Sequence, residues 1–372
     1  MTNKRNQIKD KTANQLWARA AGRCEFEGCN CVLDADPVTQ DAENAGQIAH
    51  IVAVKDNWSR GNQLPVHLRD NVENLMLLCY RHHRLVDVER PNDFTVEQLN
   101  TMKYKHEERI RMVSGIQPDK QSCIILFGPN VGNDTIVIRK DEAAHTLFPD
   151  YYPAECSPIR MELKNSSFKD RDELYWKIEQ ENVKKIFDSK ILPKLEAGLN
   201  HFSVFALAPQ PLLVYLGTLL NDKYHVSVYQ KHREPDSWKW QFECEKNEFL
   251  VKQPEFVGKQ PVLVFALSAT YIEKRIMELY DDASVWVITC ENPNNGMLKT
   301  RNKLSEFRCI VRKIIDEING SSSHDIINIH IAMPISCAFE LGRIRMPKAD
   351  KEWALFDYQQ AEGKEVETLH IK

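Results

Sequence analysis

The side chains best equipped for chemistry lie in the first 90 residues, where four of the ten cysteines and a pair of adjacent histidines fall. Cys24 and Cys29 are separated by four residues, Cys79 and His82 by two. Two such knuckles offer three thiolates and one imidazole, the donor set of a tetrahedral structural zinc site, Zn2+ with no coordination position left open. An ion held that way braces a fold and does no reaction itself. Cys31 could stand in for Cys29, but a knuckle turning at Gly28 favours Cys29. With those ligands assigned, His50, Asn74 and His83 remain. His82 and His83 are neighbours and cannot point the same way, so one can face zinc while the other faces a second metal. Asp87, one helical turn after His83, is placed to orient a metal-bound imidazole.

The order Cys-x4-Cys, His, Asn-x4-Cys-x2-His-His over about residues 20–90 resembles a zinc-stabilised HNH endonuclease of the ββα-metal type. The resemblance implies an α+β nuclease domain in which His50 is the general base, Asn74 the middle residue of the motif and His83 its last histidine. It also implies a catalytic divalent cation, Mg2+ or another, and double-stranded DNA as substrate. Physical chemistry agrees, since a neutral imidazole can take a proton from water and a nearby divalent ion can bind a scissile phosphate and stabilise the leaving oxygen. One position departs from the pattern. Many such enzymes carry an acidic metal ligand directly before the first histidine, and here that place is Ala49. Ligation then falls to Asn74 and His83 with water, or borrows Asp70, four residues before Asn74.

These residues need elements to hold them. A helical pattern at about 10–21 and a second from Thr95 to Met112 flank the Cys/His region, giving a domain over 1–112. Gly115 and Pro118 mark 113–120 as a linker. From 121 to 372 short apolar runs alternate with helical patterns, at 123–127, 202–208, 226–229, 262–267, 285–289 and 326–331, which argues for α/β with a largely parallel sheet. This part contains an echo. Phe205-Ala-Leu-Ala-Pro209 followed by Gly217 recurs as His330-Ile-Ala-Met-Pro334 followed by Gly342, and each leads on to a strand ending in Tyr-Gln, at Tyr229-Gln230 and Tyr358-Gln359. Each copy reads as a strand, a proline-started helix ending at glycine, and a second strand, hence two Rossmann-like halves. Ligands of open α/β sheets bind at the carboxyl ends of the strands, where helix amides face outward.

Behind an HNH nuclease, this second part resembles the SAVED domain, a fused pair of CARF/Rossmann-like units that bind cyclic oligonucleotides in bacterial antiphage (CBASS) systems. The resemblance rests on Phe202 to Gly217, Tyr229-Gln230, Ser237 to Trp240 and Ile329 to Gly342 with Arg343, Pro347 and Lys348. It implies a cyclic dinucleotide, or a di- or trinucleotide more broadly, as activating ligand, and a homo-oligomer on activation. Two related half-sites suit a ligand with two bases and two phosphates. Tyr229, Trp238 and Trp240 are the candidate stacking platforms, one of the tryptophans belonging to the core because alternate residues of a strand face opposite sides. Pro209, Gln210, Met333 and Pro334 start the helices that offer amides to phosphate, Ser268 and Tyr271 start a third, and Arg233 and Lys348 are the candidate phosphate partners.

Composition sets the limits. A net charge of −4 over 372 residues gives no chain-wide basic field, and residues 1–118 hold sixteen Lys/Arg against sixteen Asp/Glu. Such a nuclease lobe would bind DNA weakly as one copy and gain affinity when copies combine. No apolar run is long enough for a membrane span, so a cytoplasmic, membrane-free protein is expected. Two other readings remain open: a zinc-stabilised DNA-binding regulator that does not cleave, and a modification-dependent HNH restriction enzyme whose α/β half reads DNA.

Overall fold

The computed structural model describes residues 8–35, 44–61, 64–129, 138–163, 173–242, 246–269, 272–280, 282–359 and 363–372. The chain divides into two compact units, Met1–Gln117 and Pro118–Lys372.

In the first unit, helix α1 (Asp10–Ala20) buries Leu16 and Ala20. Strand β1 (Gly46–His50) pairs antiparallel with β2 (Leu75–Cys79), in register from Gly46 opposite Cys79 to His50 opposite Leu75. Leu75, Met76, Leu77 and Leu78 are all buried, a continuous apolar run covered on both faces. Helix α2 (Tyr80–Arg84) follows at once and continues as a π-helical turn, Leu85–Glu89. Two antiparallel strands and a helix therefore stand in ββα order. Helix α3 (Val96–Ser114) opens on a capping box in which Thr95 and Gln98 exchange side-chain and backbone hydrogen bonds, and it meets α1 where His106 Nε2 bonds the Ala20 carbonyl at 3.0 Å.

The second unit runs β3 (Gln121–Pro129), α4 (Lys140–Leu147), β4 (Tyr152–Pro153), β5 (Ile159–Leu163), α5 (Glu173–Ile186), α6 (Leu192–Glu196), β6 (Phe202–Ala206), α7 (Gln210–Leu219) and β7 (Val226–Tyr229). A small hairpin, β8 (His232–Arg233) and β9 (Asp236–Ser237), precedes β10 (Phe249–Lys252), β11 (Gln260–Ala266), α8 (Ile272–Leu279), β12 (Ala283–Cys290), α9 (Arg301–Ser321), β13 (Ile326–Ala332), α10 (Ile335–Arg343), β14 (Glu352–Gln359) and β15 (Lys364–Ile371). Parallel strands of the first sheet lie in the order β5-β3-β6-β7, with β4 beside the start of β3. The second sheet has β12-β11-β13-β14 parallel, with β10 and β15 as antiparallel edges. Taken in chain order, both parallel sets have the arrangement 2-1-3-4, which is the duplication that the echo in the sequence suggested.

Alternation along the strands divides the packing. Cys123, Ile125 and Phe127 of β3 join Leu263 and Phe265 of β11 in one core with α7, α9 and α10, while Ile124 and Leu126, and Val262 and Val264, face separate outer clusters. The repeated glycines do not end their helices. Gly217 and Gly342 sit inside α7 and α10, where a Cβ on Gly217 would lie 2.1 Å from the Phe339 carbonyl oxygen and one on Gly342 1.9 Å from that of Val214. They let the two equivalent helices touch backbone to backbone.

Candidate functional site

In the first unit, the sulfurs of Cys24, Cys29, Cys31 and Cys79 all lie within 4.8 Å of one another. Cys31 adds a fourth thiol to the three expected ones. Two left-handed residues, Gly28 (φ +81°) and Asn30 (φ 56°), curl the chain so that Cys29 and Cys31 face the same point, 3.4 Å apart. His82 stands beside the cluster, its Nδ1 3.2 Å from Cys79 Sγ and 3.6 Å from Cys24 Sγ, and its ring stacked on Phe26. Burial pushes the Cys24 thiol well up and Cys31 to about 12, whereas at Cys29 hydrogen bonds from the Cys31 backbone and the neighbouring thiols outweigh burial and lower it. Four thiolates at this spacing fit a tetrahedral zinc ion, with His82 as a hydrogen-bond donor to its sulfurs.

β1 ends at His50, whose Nε2 lies 3.0 Å from Asp70 Oδ1. Asp70 therefore supports the imidazole expected to act as base. Asn74 is occupied otherwise than expected. Its Oδ1 accepts from Val52 N at 2.8 Å, and its Nδ2 donates to Val52 O at 3.0 Å and to Arg69 O at 2.8 Å. Buried, and with both ends of its amide bonded to backbone, it clamps the loop that follows His50. On the helical side, His83 Nε2 stands 3.4 Å from Asp87 Oδ2, so the other ring nitrogen can face an ion. Of the residues expected to serve a catalytic metal, Asn74 bonds to backbone, Asp70 bonds His50, and His83 stands beside Asp87. Sequence reasoning also missed two buried guanidiniums between His50 and Asn74. Arg60 donates to Ile51, Val86, Pro91 and Asp87, and Arg69 to Leu64, Val54 and Asp56.

In the second unit, the carboxyl ends of β6 and β13 meet at Pro209 and Pro334, the N-cap residues of α7 and α10, which have no capping side chain of their own. Gln210 Oε1 accepts from Met333 N at 3.2 Å, and Gln230 Oε1 accepts from Ser336 N at 3.3 Å and from its hydroxyl at 2.7 Å, so glutamines of one half seat the turn of the other. Gln230 and Ser336 were not among the expected site residues; Gln230 following the repeated tyrosine was the available signal. Ser268 follows β11 at the same end, half-buried, while Tyr271 lies outside the described residues. The hairpin carries Arg233, exposed, to this edge, with Trp240 half-buried behind it and edge-on to His232.

Two expected contacts are corrected, those of Tyr229 and Lys348, and of the two tryptophans the one in the core is Trp238. Tyr229 is 1% exposed and stacked on Phe205 at 4.4 Å, and Trp238 is 2% exposed and edge-on to the same ring at 5.3 Å. Both are core residues, leaving Trp240 as the aromatic near the surface. Lys348 is exposed in the connection from α10 to β14. Because β13 and β14 are parallel, that connection lies at the amino ends of the strands, opposite the Pro334 turn. Arg343, too, is structural: it donates to Leu220 O at 2.9 Å and Tyr224 O at 2.8 Å, fastening the end of α7 to α10.

The second unit is thus a duplicated parallel α/β unit, and the comparison with known families places it. Residues 183–371 match the SAVED family, the "SMODS-associated and fused to various effectors sensor domain". The chain belongs to that family. No curated protein matches it. Among solved structures it is similar to the Acinetobacter baumannii Cap4 SAVED/CARF-domain containing receptor with the cyclic trinucleotide 2'3'3'-cAAA, at TM-score 0.45 and 10% identity over 76% of this chain and 58% of that one. The same receptor with 3'3'3'-cAAA gives TM-score 0.45 and 10% identity over 76% and 61%. The Moraxella osloensis Cap4 SAVED/CARF-domain containing receptor gives 0.40 and 10% over 74% and 59%. The chain thus spans 58–61% of the length of these receptors. No helix among the described residues is long and apolar enough to cross a membrane.

Proposed function

We propose that this chain is a divalent-metal-dependent HNH endonuclease of bacterial antiphage (CBASS) defence that cuts double-stranded DNA once a cyclic di- or trinucleotide binds its SAVED unit and gathers protomers. The observation that carries the reading is the first unit's ββα order, which sets His50 at the end of β1, supported by Asp70, and His83 on the helix after β2 beside Asp87, above a four-thiol cluster suited to zinc. His50 takes the proton from the attacking water and Asp70 holds the ring that receives it. A divalent ion, when bound at His83, supplies charge to the scissile phosphate. Membership of a family of sensors fused to effectors, and proline-started helices at Pro209 and Pro334 at facing strand ends, the α10 start held by Gln230 of the other half, support the ligand site.

The test is to incubate the full chain with plasmid, Mg2+ and a panel of cyclic di- and trinucleotides, following both strand scission and particle mass. Scission should need one ligand of the panel and rise with a heavier particle. His50→Ala should lose about 10²- to 10⁴-fold in rate. Undiminished cutting by that variant would sink the assignment.

A further inference from the structure

Among the described residues from Ile51 to Asn74 the helical elements are two short 3-10 turns, Val66–Leu68 and Val72–Asn74, yet this stretch leads from His50 to the strand that carries α2 and His83. One side chain in it reaches both sides. The Arg60 guanidinium, 7% exposed, donates to Ile51 O at 3.0 Å, Val86 O at 3.2 Å, Pro91 O at 3.0 Å and Asp87 Oδ1 at 2.8 Å. Its partners are the residue after His50, the helix of His83, and the turn beyond that helix. Arg60 achieves this from a left-handed backbone (φ 63°), a conformation that is unfavourable for a residue with a Cβ. The strain is held by Ala53 N, which donates to the Arg60 carbonyl at 3.2 Å.

We infer that Arg60 is a positioning residue for His83. Its planar fork fixes Asp87 through Oδ1, and the remaining oxygen, Oδ2, lies 3.4 Å from His83 Nε2, an ion-pair separation from which it favours the tautomer with the proton on Nε2. Nδ1 is thereby kept as an acceptor for a divalent ion. The purpose of this relay rests on the nuclease reading, whereas its geometry does not. Because a guanidinium has donors only, it dictates which atom of its partner turns toward it.

That property supplies the test. In Asp87→Asn, Arg60 must claim the amide oxygen, turning the NH2 group toward His83, and an imidazole facing a donor has to move its own proton to Nδ1. Long-range nitrogen–proton correlation spectra of the full chain, labelled at histidine and recorded at about pH 8 where imidazole is neutral, read the tautomer directly. The wild type should show His83 as the Nε2–H form, Asp87→Asn as the Nδ1–H form, and Arg60→Gln/Asp87→Asn a return toward Nε2–H, because nothing then orients the amide. A His83 that stays Nε2–H in Asp87→Asn overturns the inference, and so does a double variant that remains flipped. Asp87→Asn is nearly isosteric and leaves the three carbonyl bonds of Arg60 intact, so the single variant decides the matter even if the double one does not fold. Plasmid nicking by the same samples separates the two ideas. The expected tautomers with no scission under any ligand would leave the relay standing and sink the nuclease, while ligand-dependent scission with an unmoved tautomer would do the reverse.

Discussion

Asn74 shows how a residue type can be read correctly for place and wrongly for task. An amide at that spacing can ligate a metal or tie a loop, and the choice depends on Val52 and Arg69, whose positions the spacing does not give. The structure makes it a clamp, and Asn74→Asp separates the two roles. A ligand would be improved for Mg2+ by becoming a carboxylate. A clamp would lose two donors and bury a charge, at a cost of about 2–4 kcal/mol. Calorimetric melting should therefore fall, with no lowering of the Mg2+ concentration that half-saturates cleavage. Cys31 is the companion case. Its inclusion depends on the left-handed turn at Asn30, which is not visible in spacing alone. Cys31→Ala should lower the bound zinc, measured by atomic absorption, well below about one ion per chain, and His82→Ala should leave it close to one. The reverse pattern would restore His82 as the fourth ligand.

At the scale of elements, the duplication was legible because continuous apolar strands and a repeated Ala-Pro or Met-Pro turn leave a local trace, and β3, β6, β7, β11, β12 and β13 all fall where that trace lies. β5, β10 and β15 carry less of it, being short or mixed in polarity, as in IRMEL, FLVK and KEVETLHI. Edge strands such as β10 and β15 meet water on one side and need no continuous apolar run. Glycine in the echo was read as punctuation, whereas it marks the crossing of α7 and α10. The carbonyls that a new Cβ would meet at Gly217 and Gly342 are backbone and cannot swing aside. Gly217→Ala or Gly342→Ala should accordingly cost several kcal/mol, on the order of overpacking at a tight contact. Gly320, near the end of α9 with nothing within 4 Å of its would-be Cβ, is the matched control. Gly320→Ala should stabilise by about 0.5–1 kcal/mol, and urea unfolding of the three variants reads the contrast.

For the molecule as a whole, the response to acid is set less by the net charge of −4 than by groups that the sheets bury without a counter-charge. His201, just before β6, is the clearest. Its Nδ1 lies 2.9 Å from Ser122 Oγ, its Nε2 3.0 Å from Ser227 Oγ, and its ring stacks on Tyr151 at 3.8 Å. Serine is the second residue of β3, β6 and β7 alike, a pattern present in the sequence that marks a polar line across otherwise apolar strands. Burial, and then the nearby cations and His225, lower His201 from its ordinary 6.5 to about 4. The fold thus favours the neutral ring. The unfolded chain takes up a proton below about 6.5 that the folded chain refuses until about 4, so this contribution is whole above 6.5 and drains away as pH falls through that window. Two and a half units correspond to at most about 3 kcal/mol. His201→Gln keeps one donor and one acceptor but does not titrate. The difference in urea unfolding free energy between wild type and His201→Gln should consequently shrink, or change sign in favour of the variant, between about pH 7 and pH 4, by roughly that amount. Acidic side chains elsewhere titrate alike in both proteins and cancel from the difference, so a difference that stays constant across the window would mean that the ring is charged in the folded sheet.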